Sequence, residues 1–271
     1  MSNLTPEQIS HFKETGYVII SDFFDATEVT AMQNELERFK TEGLGRNVAT
    51  DGDGQTHSKR KINYQIIPLN DKSDLFRALP FSPKVTNAIS TLIGDPFVRQ
   101  LDQIFLKPGK SGAGTNWHVD NAYFRISDPT KGTGMWIALH DANVANGTLH
   151  VIPNSYKETF EHERDPDSDH HITFKADDRK AIPVEIPAGG VIFFNYGVAH
   201  CTKQNTTEHE RAGLAYHFLR TDYIPEIERK RRQKGRWQMV HLTGDEATQG
   251  KEEYGIEITE GSWVTEVERL Q

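Results

Sequence analysis

The chain has 271 residues, of which 36% are apolar and 10% aromatic, enough to build a sizeable core. Its formal charge of −8 argues against general nucleic-acid binding, which needs a basic footprint. No apolar run approaches the roughly 18 residues of a membrane span. The opening MSNLTPEQIS lacks the basic start and apolar stretch of a signal peptide. One cysteine, Cys201, excludes an internal disulfide framework and fits a reducing, cytoplasmic setting.

Thr5-Pro6-Glu7-Gln8 is a helix start, with Thr as cap, Pro in the first turn and Gln completing a capping box. Gly16 stops this helix and Tyr17–Ile20 reads as a short strand. A second helix follows Asp25, its Val29, Met32, Leu36 and Phe39 spaced to face a core, and ends near Gly43. The polar, glycine-containing segment 45–58 reads as a mobile loop. Strand-like alternation follows over 59–67, where Lys61 and Tyr64 are candidate substrate contacts or plain scaffold. A third helix is expected from Ser82 to Leu92.

From about Val98 the texture changes. Short apolar segments recur at 98–106, 115–124, 135–139, 148–152, 181–186, 191–196 and 213–219, separated by turn-rich pieces. Many short strands at this spacing suggest a β-sandwich or barrel, so the fold class is mainly β with flanking helices (α+β). A single domain is expected, with a helical part over about 1–95, a β core over about 96–222 and a C-terminal extension over about 223–271. The loop 157–180 is long, acidic and histidine-bearing, as functional lids often are; His170 and His171 in it are expected to face solvent. Arg229-Lys230-Arg231-Arg232 with Lys234 reads as a solvated helix face rather than a phosphate patch. The tail, with Trp237, Tyr254 and Trp263 as aromatic anchors, has no assignment.

Chemistry concentrates around Asn116-Trp117-His118-Val119-Asp120. If this is a strand, His118 and Asp120 project from one face, roughly 6.5–7 Å apart along the chain, and can grip one metal ion. Alone, the pair is more simply a surface His and Asp. His200 changes that reading, because it leaves the strand 191–196 where it can supply a third ligand. Two histidines and one carboxylate leave three coordination positions open, the pattern of non-haem Fe(II) oxygenases. Arg211 shares a strand face with Gly213, Ala215 and His217. A buried arginine needs an anion, small neighbours leave room for one, and Thr202 can add a hydroxyl donor. A metal-dependent enzyme of another kind, or a non-catalytic barrel-type binding module, remains compatible with the triad, though neither needs Arg211.

With these residues in place the chain resembles the phytanoyl-CoA dioxygenase family of Fe(II)- and 2-oxoglutarate-dependent oxygenases. The matching stretches are WHVD at 117–120, WIALHDAN at 136–143, NGTLHVIPNS at 146–155, the glycine turn and FF at 189–194, and His200 followed by Arg211. An amino-terminal pattern at 4–24 also fits. The resemblance implies a double-stranded β-helix (jelly-roll, cupin-like) core, with Fe(II) held by His118, Asp120 and His200. It further implies 2-oxoglutarate anchored by Arg211 with help from Thr202, with Trp136 lining its pocket and Gln103 near its other end. O2 would be the second cosubstrate, succinate and CO2 the by-products, and a hydroxylated small molecule the product. Asp120 fills the place that Gly or Ala takes in related halogenases, which favours hydroxylation. Asn121, Tyr123, Arg125 and His217 are expected at the mouth or border of the site, on the substrate side. Asn154-Ser155-Tyr156 and His150 depart from the family pattern and leave the substrate unread. A small polar metabolite suits this acidic chain better than an acyl-CoA.

Overall fold

A computed structural model describes residues 4–232 and 239–271; Lys234 and Trp237 lie outside them. The amino-terminal part runs α1 (Pro6–Thr15), β1 (Tyr17–Ile20), α2 (Ala26–Thr41), β2 (Arg46–Asn47), β3 (Tyr64–Ile66), α3 (Asp74–Ala78) and α4 (Pro83–Ile93). The central part runs β4 (Phe97–Lys107), β5 (Thr115–His118), α5 (Asn121–Phe124), β6 (Gly132–Ala138), β7 (Leu149–Val151), β8 (Glu163–Arg164), β9 (Ile172–Thr173), β10 (Ile182–Pro183), β11 (Val191–Asn195), β12 (His200–Thr202) and β13 (Arg211–Arg220). The remainder is α6 (Glu226–Arg232), β14 (Val240–His241), α7 (Lys251–Tyr254) and α8 (Ser262–Arg269).

The strands form a large antiparallel sheet in the order β1-β11-β6-β13-β4-β3-β2, with β14 added to β4, and a small one in the order β10-β7-β12-β5. Successive side chains in a strand point to opposite faces, and here both faces of the large sheet are covered. Met135, Ile137, Val191, Phe193, Leu214 and Tyr216 join the core shared with the helices. Trp136, Ala138, Ile192 and Phe194 face the small sheet and pack with Leu149 and Val151. Burial on two sides explains why 191–194 reads as an unbroken apolar run rather than an alternating one.

The helical layer follows its sequence signals. Thr5 Oγ1 accepts from Gln8 N (3.2 Å) while Gln8 Oε1 accepts from Thr5 N (2.8 Å), closing the capping box of α1. Gly16, at φ 90°, ends that helix. The tail left unassigned by sequence returns to this layer. Trp263 on α8 donates from Nε1 to Glu28 Oε1 (2.6 Å) and sits in the core beside α2. Tyr254 accepts from the buried Arg99 (2.7 Å). On α6, Lys230 pairs with Glu226 at 3.1 Å on an exposed face, and Arg229 donates to Thr221 O. Among the described residues no helix is long and apolar enough to cross a membrane.

Three expectations need correction. The segment 115–124 is not one strand: pairing stops at His118 and α5 begins at Asn121. Only Tyr64–Ile66 of the stretch 59–67 is a strand. The loops 45–58 and 157–180 are fastened to each other. Thr50 N donates to Asp167 O (3.0 Å), Gly54 N to Pro166 O (2.8 Å) and Asp169 N to Val48 O (3.1 Å). Arg46 pairs with Asp169, and Lys61 Nζ reaches Asp167 at 3.0 Å.

Candidate metal and cosubstrate site

His118 closes β5 and His200 opens β12, and the two are register partners across the small sheet, with ring centroids 4.2 Å apart. Each ring is oriented by a backbone carbonyl: His118 Nδ1 lies 2.8 Å from Asn116 O and His200 Nδ1 2.9 Å from Val198 O. A proton on each Nδ1 makes that hydrogen bond and leaves Nε2 a lone pair for a metal. Burial pushes His118 down to about 3, helped by the neighbouring His200, and His200 down to about 4. Both imidazoles are therefore neutral near pH 7, the form that ligates.

Asp120 reaches the same point by another route than a shared strand face. It has helical backbone angles (φ −61°, ψ −32°) at the start of α5. The turn is fixed by Asn121 N donating to Tyr196 O (2.8 Å) and by Tyr123 N and Phe124 N donating back to Asp120 O. Its carboxylate lies 3.7 Å from His200 Nε2 and 3.4 Å from His217 Nδ1. One ligand atom from each of His118, Asp120 and His200 lies within 4.8 Å of the others, and all three residues are buried. Two neutral imidazoles and a carboxylate, converging with their outer nitrogens already tied down, fit a divalent transition metal.

The triad opens into a cavity of about 610 Å³ between the two sheets. Arg211 lies at 0% exposure on its wall. Its guanidinium donates to Gly147 O and lies 5.5 Å from the Trp136 ring, while Nε has no hydrogen-bond partner. Among the described residues no carboxylate pairs with it, and burial lowers it to about 10. Gly213 makes space for this stack, since a Cβ there would stand 2.3 Å from Trp136 Nε1. Lys107, directly opposite Arg211 in the β4–β13 register, is equally buried. It donates to Lys203 O (2.5 Å) and Gly147 O (3.3 Å), and burial with Arg211 alongside holds it well below its ordinary value. Two adjacent buried basic side chains, with no acidic partner among the described residues, favour an anion beside them.

The other candidates divide. Thr202 lines the cavity; its hydroxyl oxygen accepts from Thr115 N (3.0 Å), leaving its proton to donate. Gln103 lines it too, accepting from Gln65 Nε2 (2.8 Å). Tyr123 lines it with its hydroxyl accepting from Ile172 N (3.0 Å), and burial raises the phenol to about 12. His217 lines it as the neighbour of Asp120 rather than on the substrate side. Lys61, Tyr64, Asn121 and Arg125 are not in the lining. Lys61 is committed to Asp167, Tyr64 packs against the helical core, Asn121 bonds both ways with Ile126 to brace α5, and Arg125 terminates that helix in the left-handed conformation (φ 53°). Cys201 is buried beside His200, and burial raises its thiol to about 12, so it stays an inert packing group. His171, expected in solvent, is buried in the cavity wall, with His170 half-buried beside it. Sequence reasoning passed over Lys107, although it shares the strand parity of Gln103.

A two-histidine, one-carboxylate face set between antiparallel sheets is the donor set of the non-haem iron oxygenase class. Within that class the chain belongs to the phytanoyl-CoA dioxygenase family, which it matches over residues 12–213. Phytanoyl-CoA dioxygenase 1 of Oryza sativa subsp. japonica is 27% identical over 256 residues, covering 81% of this chain and 90% of the relative. Among solved structures, the non-heme α-ketoglutarate-dependent carbocyclase SnoK from nogalamycin biosynthesis superposes with a TM-score of 0.70 at 21% identity, covering 90% of this chain and 95% of that one. EctD from S. alaskensis, crystallised with 2-oxoglutarate and 5-hydroxyectoine, gives 0.64 at 19% identity, covering 82% and 78%.

Proposed function

We propose that this protein is an Fe(II)- and 2-oxoglutarate-dependent dioxygenase that hydroxylates an unactivated C–H bond of a small molecule. The observation that carries this reading is one cavity holding both the metal-ligating triad and Arg211, a buried cation with no acidic partner among the described residues. The relatives' names and the bound 2-oxoglutarate of EctD support it. So does the retained Asp120, which fills the position a halide would need. The two facing sheets are consistent with a jelly-roll core within a single 271-residue domain, and the lone cysteine suits a cytoplasmic protein.

His118, Asp120 and His200 would hold Fe(II). Bound there, iron and 2-oxoglutarate supply the oxidising chemistry, consuming O2 and releasing succinate and CO2. Arg211 holds the distal carboxylate with paired N–H donors, Lys107 adds a second positive group, and Thr202 donates its hydroxyl proton. Gln103 sits toward the other end of the cosubstrate. Trp136 supports the arginine from below, and Phe194 with the joined 45–58 and 157–180 loops shields the site from water.

Substituting Asp120→Ala removes one iron ligand and is expected to abolish substrate-dependent succinate release in the presence of Fe(II), 2-oxoglutarate and O2, with the fold retained by circular dichroism. Succinate release at the wild-type rate would overturn the assignment.

A further inference from the structure

Outside the triad and the two buried basic groups, several polar side chains of the cavity, Gln65, Tyr123, His170 and His171 among them, have no use in the chemistry above. His171 is 7% exposed, and among the described residues neither of its ring nitrogens has a hydrogen-bond partner. Its ring stands 5.9 Å from His118, 5.8 Å from Phe105 and 4.1 Å from His170, on the cavity wall. A buried imidazole carries one N–H donor and one lone pair, and leaving both unsatisfied costs stability. The backbone around it is well fixed, since Asp165 N donates to His171 O (3.1 Å) and the segment is fastened to residues 48–54. The ring is therefore held facing the metal side of the cavity.

We propose that His171 is the substrate-recognition residue, and that it binds a neutral hydroxyl or amide group carried on a compact, largely apolar molecule. This rests on the dioxygenase reading above. Neutrality follows from the surroundings. The charges on the same wall are matched internally: Arg46 with Asp169, and Asp169 with His170 at 2.6 Å. An ionic substrate would find no free counter-charge there, whereas a hydroxyl or amide offers the donor and acceptor that the ring lacks. Leu101, Phe105, Ile67, Phe124 and Met135 line the remaining space and suit the apolar body.

The test uses the protein loaded anaerobically with Fe(II) and 2-oxoglutarate, titrated calorimetrically with five probes. These are tetrahydropyran-4-ol, δ-valerolactam, tetrahydropyran, cyclohexanecarboxylate and cyclohexylammonium. The alcohol and lactam are expected to bind about tenfold more tightly than tetrahydropyran or either ion, a difference of ~1.4 kcal/mol. His171→Phe should erase that preference and His171→Asn should keep part of it, with 2-oxoglutarate affinity unchanged in both. No measurable binding of the alcohol and lactam, tighter binding of either ion, or a preference surviving in His171→Phe would overturn the proposal. If the variants do not fold, Zn(II)-loaded wild type labelled with 15N-histidine decides. The His171 ring nitrogens should shift with tetrahydropyran-4-ol and not with tetrahydropyran; no shift overturns the proposal. Wild type that fails to take up Fe(II) or 2-oxoglutarate in the loading step would instead sink the dioxygenase reading.

Discussion

Along β13, Ala212, Leu214 and Tyr216 face the helices, apolar and tightly packed, and the Tyr216 hydroxyl is satisfied by Phe76 O at 2.7 Å. The alternate residues Arg211, Ala215 and His217 line the cavity, with Gly213 clearing space between them. The outer face obeys the rules of a protein core. The inner face breaks them, burying a charge and giving up side-chain volume where a scaffold would fill it. Such local violations mark functional positions when the rest of the element is regular.

Substitutions on the two faces should therefore separate ligand binding from stability. Arg211→Met keeps the bulk and removes the charge. Losing a buried charge partner costs about 2–5 kcal/mol, so the 2-oxoglutarate Kd should rise about 30-fold or more in anaerobic titration, with the melting transition intact. His217→Phe takes away the neighbour of the Asp120 carboxylate. Outer-shell losses cost about 10–100-fold in metal affinity, and competition with a chelator should show this for Fe(II), with a much smaller effect on 2-oxoglutarate. Leu214→Ala, between these residues but pointing outward, should lose about 2–5 kcal/mol of stability in urea unfolding while leaving both ligand affinities as they were. A reversal of that pattern would mean that the two faces are not functionally distinct.

The smallest effect expected is with pH. His118 and His200 remain unprotonated in the folded apoprotein down to about 3 and 4, so Zn(II) affinity should stay nearly flat from pH 7.5 to 6. A fall of about tenfold would show imidazoles titrating near their ordinary ~6.5. Stability follows the same titration. Below pH ~6.5 the unfolded chain binds protons at these histidines that the folded chain does not, so the apoprotein loses stability as pH falls from there toward 4. Urea midpoints at pH 7 and 5 measure that loss.

Local patterns carried much of the architecture. The capping box at Thr5, the helix start after Asp25, the apolar stripe of α2 and the strand that carries Arg211 all depend on neighbours in sequence, and they lie where expected. Misreadings arose where distant bonds decide. Asp120 leaves its strand because Asn121 N meets Tyr196 O, and a four-residue helix is too short to show periodicity. His171 looked solvent-facing because its loop is acidic; its burial comes from the pairing with residues 48–54. Lys107 was passed over just beyond the segment 98–106, and its meeting with Arg211 depends on how β4 aligns with β13. The metal ligands were legible because two histidines and an aspartate stand at or just beyond the ends of two short strands, while the substrate wall draws His170 and His171 from a loop.

The pairing of His118 with His200 also bears on how the small sheet keeps its alignment. β5 is four residues long, β12 is three, and β5 forms the edge of that sheet. A slip of β12 by one position would turn His200 away and set Cys201 against His118, because every side chain changes face. An ion gripped by both rings would thus act as a clasp that accepts only the correct alignment. Stripping it should quicken amide exchange first at Cys201 and Thr202, leaving the helical layer as slow to exchange as before.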